Sequence, residues 1–301
     1  MTRAGEKPLD SISAGENGAQ PLTFRQAAIE AAEWIKITQS AVPFLEAQLL
    51  LARAIGKSGE YIMAHPEQIP TPPQWRLFRK LVERRARFEP IAYILGEKEF
   101  YSLTFQVDKR ALIPRPETEL LVETALDIFP SGGALSILEI GAGTGIISIC
   151  LAKSRSEWMF TATDVSSDAL DLARQNAVIH QAGERISFIL ADLFPPGAEK
   201  FDLLISNPPY IPFGQKGLAP DITLYEPEVA LYGGEDGLDA IRKIIHHAPD
   251  RLAPGGGIAM EIGYGQTEEV AGLLERTGRF NSITVIPDYQ GIGRVIWAKR
   301  K

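Results

Sequence analysis

Three glycines at alternate positions, Gly141, Gly143 and Gly145, follow the apolar run SILEI and precede a second apolar run. A strand that enters such a turn and leaves as a helix brings backbone N–H groups close to a ligand, because glycine turns tightly without a Cβ in the way. A dinucleotide fingerprint asks for glycine at position 146, where this chain has Ile146. The spacing, with Ala142 and Thr144 between the glycines, therefore suits a nucleoside without a pyrophosphate on the helix. Asp164 closes the run MFTATD, 23 positions after Gly141. Its two oxygens suit the two hydroxyls of a ribose. Its other role is a helix cap, which Ser166 or Ser167 can also fill. Asp192, in LADLF, suits an adenine amino group, with Leu193 covering the ring; the alternative is a loop cap.

The stretch LLISNPPYIP, residues 203–212, carries the fourth constellation. Three apolar residues and a serine read as a buried strand that ends in an amide, two prolines and a tyrosine. Consecutive prolines fix φ and offer no competing N–H donors. The Asn207 side-chain oxygen and the Pro208 carbonyl are two acceptors that can grip a planar –NH₂ group. Pro209 stiffens the loop, and Tyr210 offers a ring face for the flat group. Ligands of open α/β sheets bind at the carboxyl ends of strands, where all four features fall.

The surrounding pattern supplies the strands. From Ser136 onward, apolar runs alternate with amphipathic segments, which predicts a parallel, doubly wound sheet. The strands read SILEI, MFTATD, ISFILAD, FDLLISN, GGIAMEIG, ITVIPD and GRVIWAKR. The last two are too close in sequence to be parallel, so they pair antiparallel. Upstream, IPRPETELLVETALDIF reads as a helix with Pro116 at its first position and Glu117 and Glu119 in its first turn. EKEFYSLTFQVDK reads as a β-hairpin linking the two parts. Three helices precede it: TFRQAAIEAAEWIKI capped by Thr23, PFLEAQLLLARAIG between Pro43 and Gly56, and the basic PPQWRLFRKLVERRARFEP, whose ERRAR run reads as a solvated face. The expected division is a disordered tail at 1–20, a helical recognition domain at 21–90, a hairpin linker at 91–115 and a ligand-binding α/β domain at 116–301.

Bulk properties narrow the class. The 301 residues are 45% hydrophobic and 23% charged, with a net charge of -7. An acidic balance argues against broad electrostatic binding to nucleic acid. One cysteine, Cys150 in IISICLA, gives no disulfide framework and no cysteine zinc site, and it reads as a packing residue. His65, His180, His246 and His247 stand in unrelated contexts, so no metal is expected. No apolar run approaches the ~20 residues of a membrane span. The N-terminus has no secretory pattern, and the expected location is the cytoplasm.

In combination, NPPY, GAGTG, Asp164 and the antiparallel last strand resemble class I S-adenosylmethionine (SAM)-dependent methyltransferases acting on amino or amide nitrogens. With IPRPETE, YEPEVALYGGEDGL and EIGYGQ, residues 24–300 resemble the HemK/PrmC family of protein-(glutamine-N5) methyltransferases. The resemblance implies a Rossmann-like, mostly parallel seven-stranded sheet with one antiparallel strand. It implies SAM contacts at Gly141, Ala142, Gly143, Thr144, Gly145, Asp164, Leu193 and Asn207, to which the strand-end reading adds Asp192. Asn207, Pro208, Pro209 and Tyr210 would hold substrate, with Asn207, Pro208 and Tyr210 as the catalytic candidates and no dedicated general base. Some members of the family carry an aromatic residue where this chain has Leu193, so the resemblance implies weaker adenine stacking there. The implied substrate is the glutamine of a Gly-Gly-Gln loop in class 1 peptide chain release factors, methylated by a monomer without nucleic acid, metal or membrane. Sister enzymes acting on a ribosomal protein tend to lack PRPET. A DNA or RNA adenine amino-methyltransferase and a non-catalytic SAM-binding partner of the translation machinery are the rival readings. YEPEVALYGGEDG lacks periodic apolars and reads as a long loop over the substrate crevice, and Arg115 has two readings, a clamp on the cofactor or a partner of nearby acids.

Overall fold

The computed structural model describes residues 21–130 and 133–301, so the tail expected over 1–20 lies outside the described residues. The described residues divide into two compact units, 21–95 with Ala219–Tyr225, and Gly96–Leu218 with Glu226–Lys301.

In the first unit, α1 (Phe24–Ile35) opens on a capping box. Thr23 Oγ1 accepts the Gln26 N–H at 3.3 Å, and Gln26 Oε1 accepts the Thr23 N–H at 2.9 Å. Helix α2 (Pro43–Ile55) starts on proline and stops at Gly56, whose φ of 72° is the left-handed helix end. Two short helices, α3 (Gly59–Ala64) and α5 (Ile91–Leu95), flank α4 (Pro72–Ala86). Neither short helix has enough turns to show periodicity in sequence. Ala27, Ala31, Leu50, Leu51, Phe78 and Val82 fill the core between the helices. The ERRAR run is not a uniformly solvated face. Arg85 is buried, and its guanidinium forms a forked pair with the buried Glu46 carboxylate at 2.8 and 3.3 Å. A charge taken out of water persists only with such a partner.

The second unit begins with a hairpin of β1 (Glu97–Phe100) and β2 (Leu103–Gln106). Tyr101 and Ser102, at φ 50° and 59°, form its two-residue turn, matching the twist of the strands. Helix α6 covers Thr118–Ile128 and starts two residues later than the sequence predicts. Residues 115–120 first form tight turns, in which the Thr118, Glu119 and Leu120 N–H groups reach the carbonyls three residues back. The sheet and its helices follow as β3 (Ser136–Ile140), α7 (Ile146–Ser154), β4 (Met159–Asp164), α8 (Ser167–Ile179), β5 (Ile186–Leu190) and β6 (Phe201–Ser206). Helix α9 (Pro220–Tyr225) belongs to the first unit, where the Tyr225 hydroxyl donates to the Arg87 carbonyl at 2.9 Å. Then come α10 (Glu228–Leu231), α11 (Asp239–His247), β7 (Leu252–Glu261), α12 (Thr267–Arg276), β8 (Phe280–Pro287) and β9 (Gly293–Arg300).

The strand order is β5-β4-β3-β6-β7-β9-β8. Strands β3 to β7 are parallel, and β9 runs antiparallel to both its neighbours. Both faces of the sheet are buried, and the period of two sorts side chains between them. Ile137, Leu203, Ile205 and Ala259 enter one core with α6 and α7. Leu138, Ile140, Leu204, Ile258 and Met260 enter the other with α11 and α12. The same alternation puts Glu139 and Glu261 on the α6 and α7 face, each in an otherwise apolar strand.

Candidate active site

The order reverses between β3 and β6, and a crevice of about 370 Å³ opens at the carboxyl ends of these strands. That volume and place suit a small-molecule site. Gly141, Ala142, Gly143, Thr144, Asp164, Asp192, Leu193, Asn207, Pro208 and Pro209 all line it. Gly145 and Tyr210 do not. Gly145 instead caps α7 at φ 79°, and a Cβ there would lie 3.1 Å from the Ala173 Cβ of α8. Its bare backbone lets the two helices meet. Tyr210 packs against the backbone of Gly263 and sends its hydroxyl to Glu261 Oε1 at 3.2 Å, while Gln266 Nε2 donates to its carbonyl at 3.0 Å. Its ring is committed to the β7 end of the sheet.

Asp164 does two jobs at once. One oxygen accepts the Gly143 N–H at 2.9 Å, and the other accepts the Ser166 N–H at 2.9 Å. Ser166 caps α8 through its own hydroxyl. Each carboxylate oxygen keeps a further lone pair for a ligand. Leu193 has φ 68°, a left-handed conformation that costs a residue with a Cβ about 1–2 kcal/mol. The Thr163 hydroxyl holds its carbonyl at 2.6 Å.

Asn207 Nδ2 donates to Thr118 Oγ1 at 3.0 Å. The Thr118 hydroxyl donates to Glu261 Oε2 at 2.7 Å. Asn207 Oδ1 has no hydrogen-bond partner among the described residues. Burial pushes the Glu261 carboxyl up to about 7, against the pull of its hydrogen bonds from Thr118 and Tyr210. Burial raises the Tyr210 hydroxyl as well, and the neighbouring Glu261 adds to the rise.

Glu139 lies at the floor of the crevice, fully buried. The Ser148 N–H and hydroxyl both reach its Oε2, and Oε1 has no partner among the described residues. Burial lifts this carboxyl to about 8. A buried carboxyl oxygen left without a partner beside a glycine turn suits a polar contact from a ligand in the crevice. Among the described residues there is no metal-binding group of three or more His, Cys, Asp or Glu side chains.

Arg115 pairs with Glu226 at 2.6 Å, and Glu226 also accepts the Ile113 N–H at 3.0 Å. The 225–237 segment is therefore tied down by a buried carboxylate and holds α10 and a bridge between Ile211 and Tyr232. Sequence reasoning missed Thr118, Glu226 and Glu261 as members of the site. The readable signal for Glu261 was an acid inside the apolar strand AMEIG, which repeats the setting of Glu139 in ILEIG.

Residues 26–96 match the family pattern described as the PrmC N-terminal domain, and residues 116–220 match the methyltransferase small domain. A release factor glutamine methyltransferase of Geobacter sulfurreducens is 41% identical over 254 residues, covering 84% of this chain and 88% of the relative. One of Neisseria gonorrhoeae is 37% identical over 271 residues, covering 89% of this chain and 96% of the relative. Among solved structures, the hMettl16 catalytic domain in complex with an RNA hairpin superposes with a TM-score of 0.54 at 16% identity. It covers 70% of this chain and 82% of that one, a likeness of fold.

Proposed function

The chain belongs to the family of release factor glutamine methyltransferases, and on that premise we propose that it methylates a release factor. The acceptor is the side-chain amide nitrogen (N5) of the glutamine in the Gly-Gly-Gln loop of a class 1 peptide chain release factor. The fold and crevice are those of a class I SAM-dependent methyltransferase. S-adenosylmethionine supplies a methyl group on a positively charged sulfur.

The chain's own residues divide the work. The turn of Gly141, Ala142, Gly143 and Thr144 approaches the ligand through backbone. Asp164 takes the ribose hydroxyls, and Asp192 and Leu193 take the adenine. The unpartnered oxygen of Glu139 leaves one polar group at the crevice floor open to a ligand contact. Asn207 Oδ1 and the Pro208 carbonyl accept the two N–H groups of the substrate amide, while Pro209 and Tyr210 stiffen the grip. An amide nitrogen is a poor nucleophile because its lone pair is delocalised, so orientation is the protein's main lever. Holding reacting atoms at about 3–3.5 Å supplies several kcal/mol of the barrier. After transfer the nitrogen is acidic enough to lose its proton to water or a carbonyl, so no dedicated base is required. The first unit, with its PrmC-type helices, grips the release factor away from the glutamine. The enzyme works as a monomer in the cytoplasm, where release factors act.

The observation that carries this reading is the Asn207 amide. Its Nδ2 is committed to Thr118, so its free acceptor is what remains for an incoming –NH₂. Mass spectrometry of a release factor incubated with the protein and SAM should show one added methyl on that glutamine. An unmodified glutamine beside a methylated adenine oligonucleotide would overturn it.

A further inference from the structure

We propose that Glu261 is a positioning residue for this reaction: acting through the Thr118 hydroxyl, it fixes the Asn207 amide with its oxygen free for the substrate. The inference rests on the function proposed above and names what orients its key side chain.

The geometry is a directed chain of hydrogen bonds. Thr118 has one hydroxyl proton, and it goes to Glu261 Oε2 at 2.7 Å. What Thr118 then offers Asn207 is a lone pair, so the amide must turn its Nδ2 toward Thr118, at 3.0 Å. The other carboxylate oxygen is held by the Tyr210 hydroxyl at 3.2 Å. Two donors from two different segments thus meet one buried carboxylate, and Asn207 and Tyr210 flank the Pro-Pro step between them.

The direction depends on charge. Ionised Glu261 accepts from both hydroxyls. Protonated Glu261 can donate to Thr118, which frees the Thr118 proton to reach the Asn207 oxygen and reverse the amide. Around Glu261 stand Thr118 from α6 with Glu117 just ahead of it, Tyr210 from the loop after β6, and Arg294 from β9. Burial and Glu117 favour the protonated form, while both hydrogen bonds and Arg294 favour the ionised one. Arg294 is shared with Asp288 at 3.2 Å. The transition lies at about 7, so the chain reverses across neutral pH.

The test compares the full-length wild type with E261Q, T118V and T118S from about pH 5.5 to 9, in single-turnover methylation of a release factor. T118V and E261Q should slow methyl transfer by about 10- to 100-fold while SAM affinity, measured by calorimetry, stays put. T118S should recover the wild-type rate. The wild-type rate should fall as pH drops through about 7, and E261Q should lose that limb. The Asn207 side-chain NH₂ signals in a ¹H–¹⁵N spectrum should titrate over the same range in the wild type and not in E261Q. This last measurement needs no substrate, so it decides the positioning role even where the release factor stays unmethylated. Asn207 signals that ignore pH, or a T118V variant as fast as wild type, would overturn the proposal.

Discussion

The Asp164 carboxylate and the Gly143 N–H meet at 2.9 Å, so the carboxyl end of β4 pins the glycine turn that follows β3. Removing the side chain therefore loses more than a ligand contact. D164A should weaken SAM binding by about 1–3 kcal/mol, the scale of hydrogen bonds to a charged group. D164N, which keeps acceptors for one N–H, should lose less. Calorimetric titration of both folded variants measures the difference, and unchanged affinity in D164A would leave Asp164 a cap alone.

Asn207→Ala should cut methyl transfer by about 10²-fold or more, roughly 3 kcal/mol of barrier, with little change in stability. Asn207→Asp keeps an acceptor but replaces the donor that faces Thr118 with a second carboxylate close to Glu261. Like charges sharing one buried site disfavour ionisation, so N207D should also be slow and should work best on the acid side. Rapid-quench single-turnover assays over a pH series separate the two variants.

Glu139 makes stability depend on pH. Its carboxyl titrates near 8 in the folded protein against an ordinary value of 4.5, so the folded state holds a proton that the unfolded chain releases. Its contribution is full below about 4.5 and is lost as pH rises through about 8. Denaturant titrations of wild type and E139Q should diverge over that window, by an amount on the order of a few kcal/mol. Parallel curves would contradict the buried protonated carboxyl.

Glu226 satisfies the Ile113 N–H and Arg115 from a fully buried position. E226A leaves a buried donor without its acceptor and should cost about 1–3 kcal/mol of stability. E226Q keeps a neutral acceptor and should cost less than half as much. Urea melts give both values, and an E226A curve that overlays wild type would show that the segment needs no such anchor.

The glycine turn and the strand ends were legible in sequence because each rests on a local rule: period-two apolar runs, glycine before a helix, and ligands at carboxyl ends. Asp164, Asp192, Leu193 and Asn207 line the crevice for that reason. The link from Thr118 to Glu261 was not legible, because the two stand 143 positions apart and no local pattern reports such a contact. Tyr210 was legible as part of the loop but not in its direction, which Glu261 and Gly263 decide. Arg85 looked like surface because its run is basic; the carboxylate that buries it comes from a different helix.

Strand β9 lies between β7 and β8 and pairs with both, yet it is the last of the seven to be made. As the chain emerges from a ribosome, β7 and β8 are complete before the strand that joins them exists. The outer edge of β7, with its row of free N–H and C=O groups, must wait open in that interval, and such edges recruit other chains. Nascent chains halted before Gly293 would therefore be the aggregation-prone species of this protein, and the final hairpin acts as its latch.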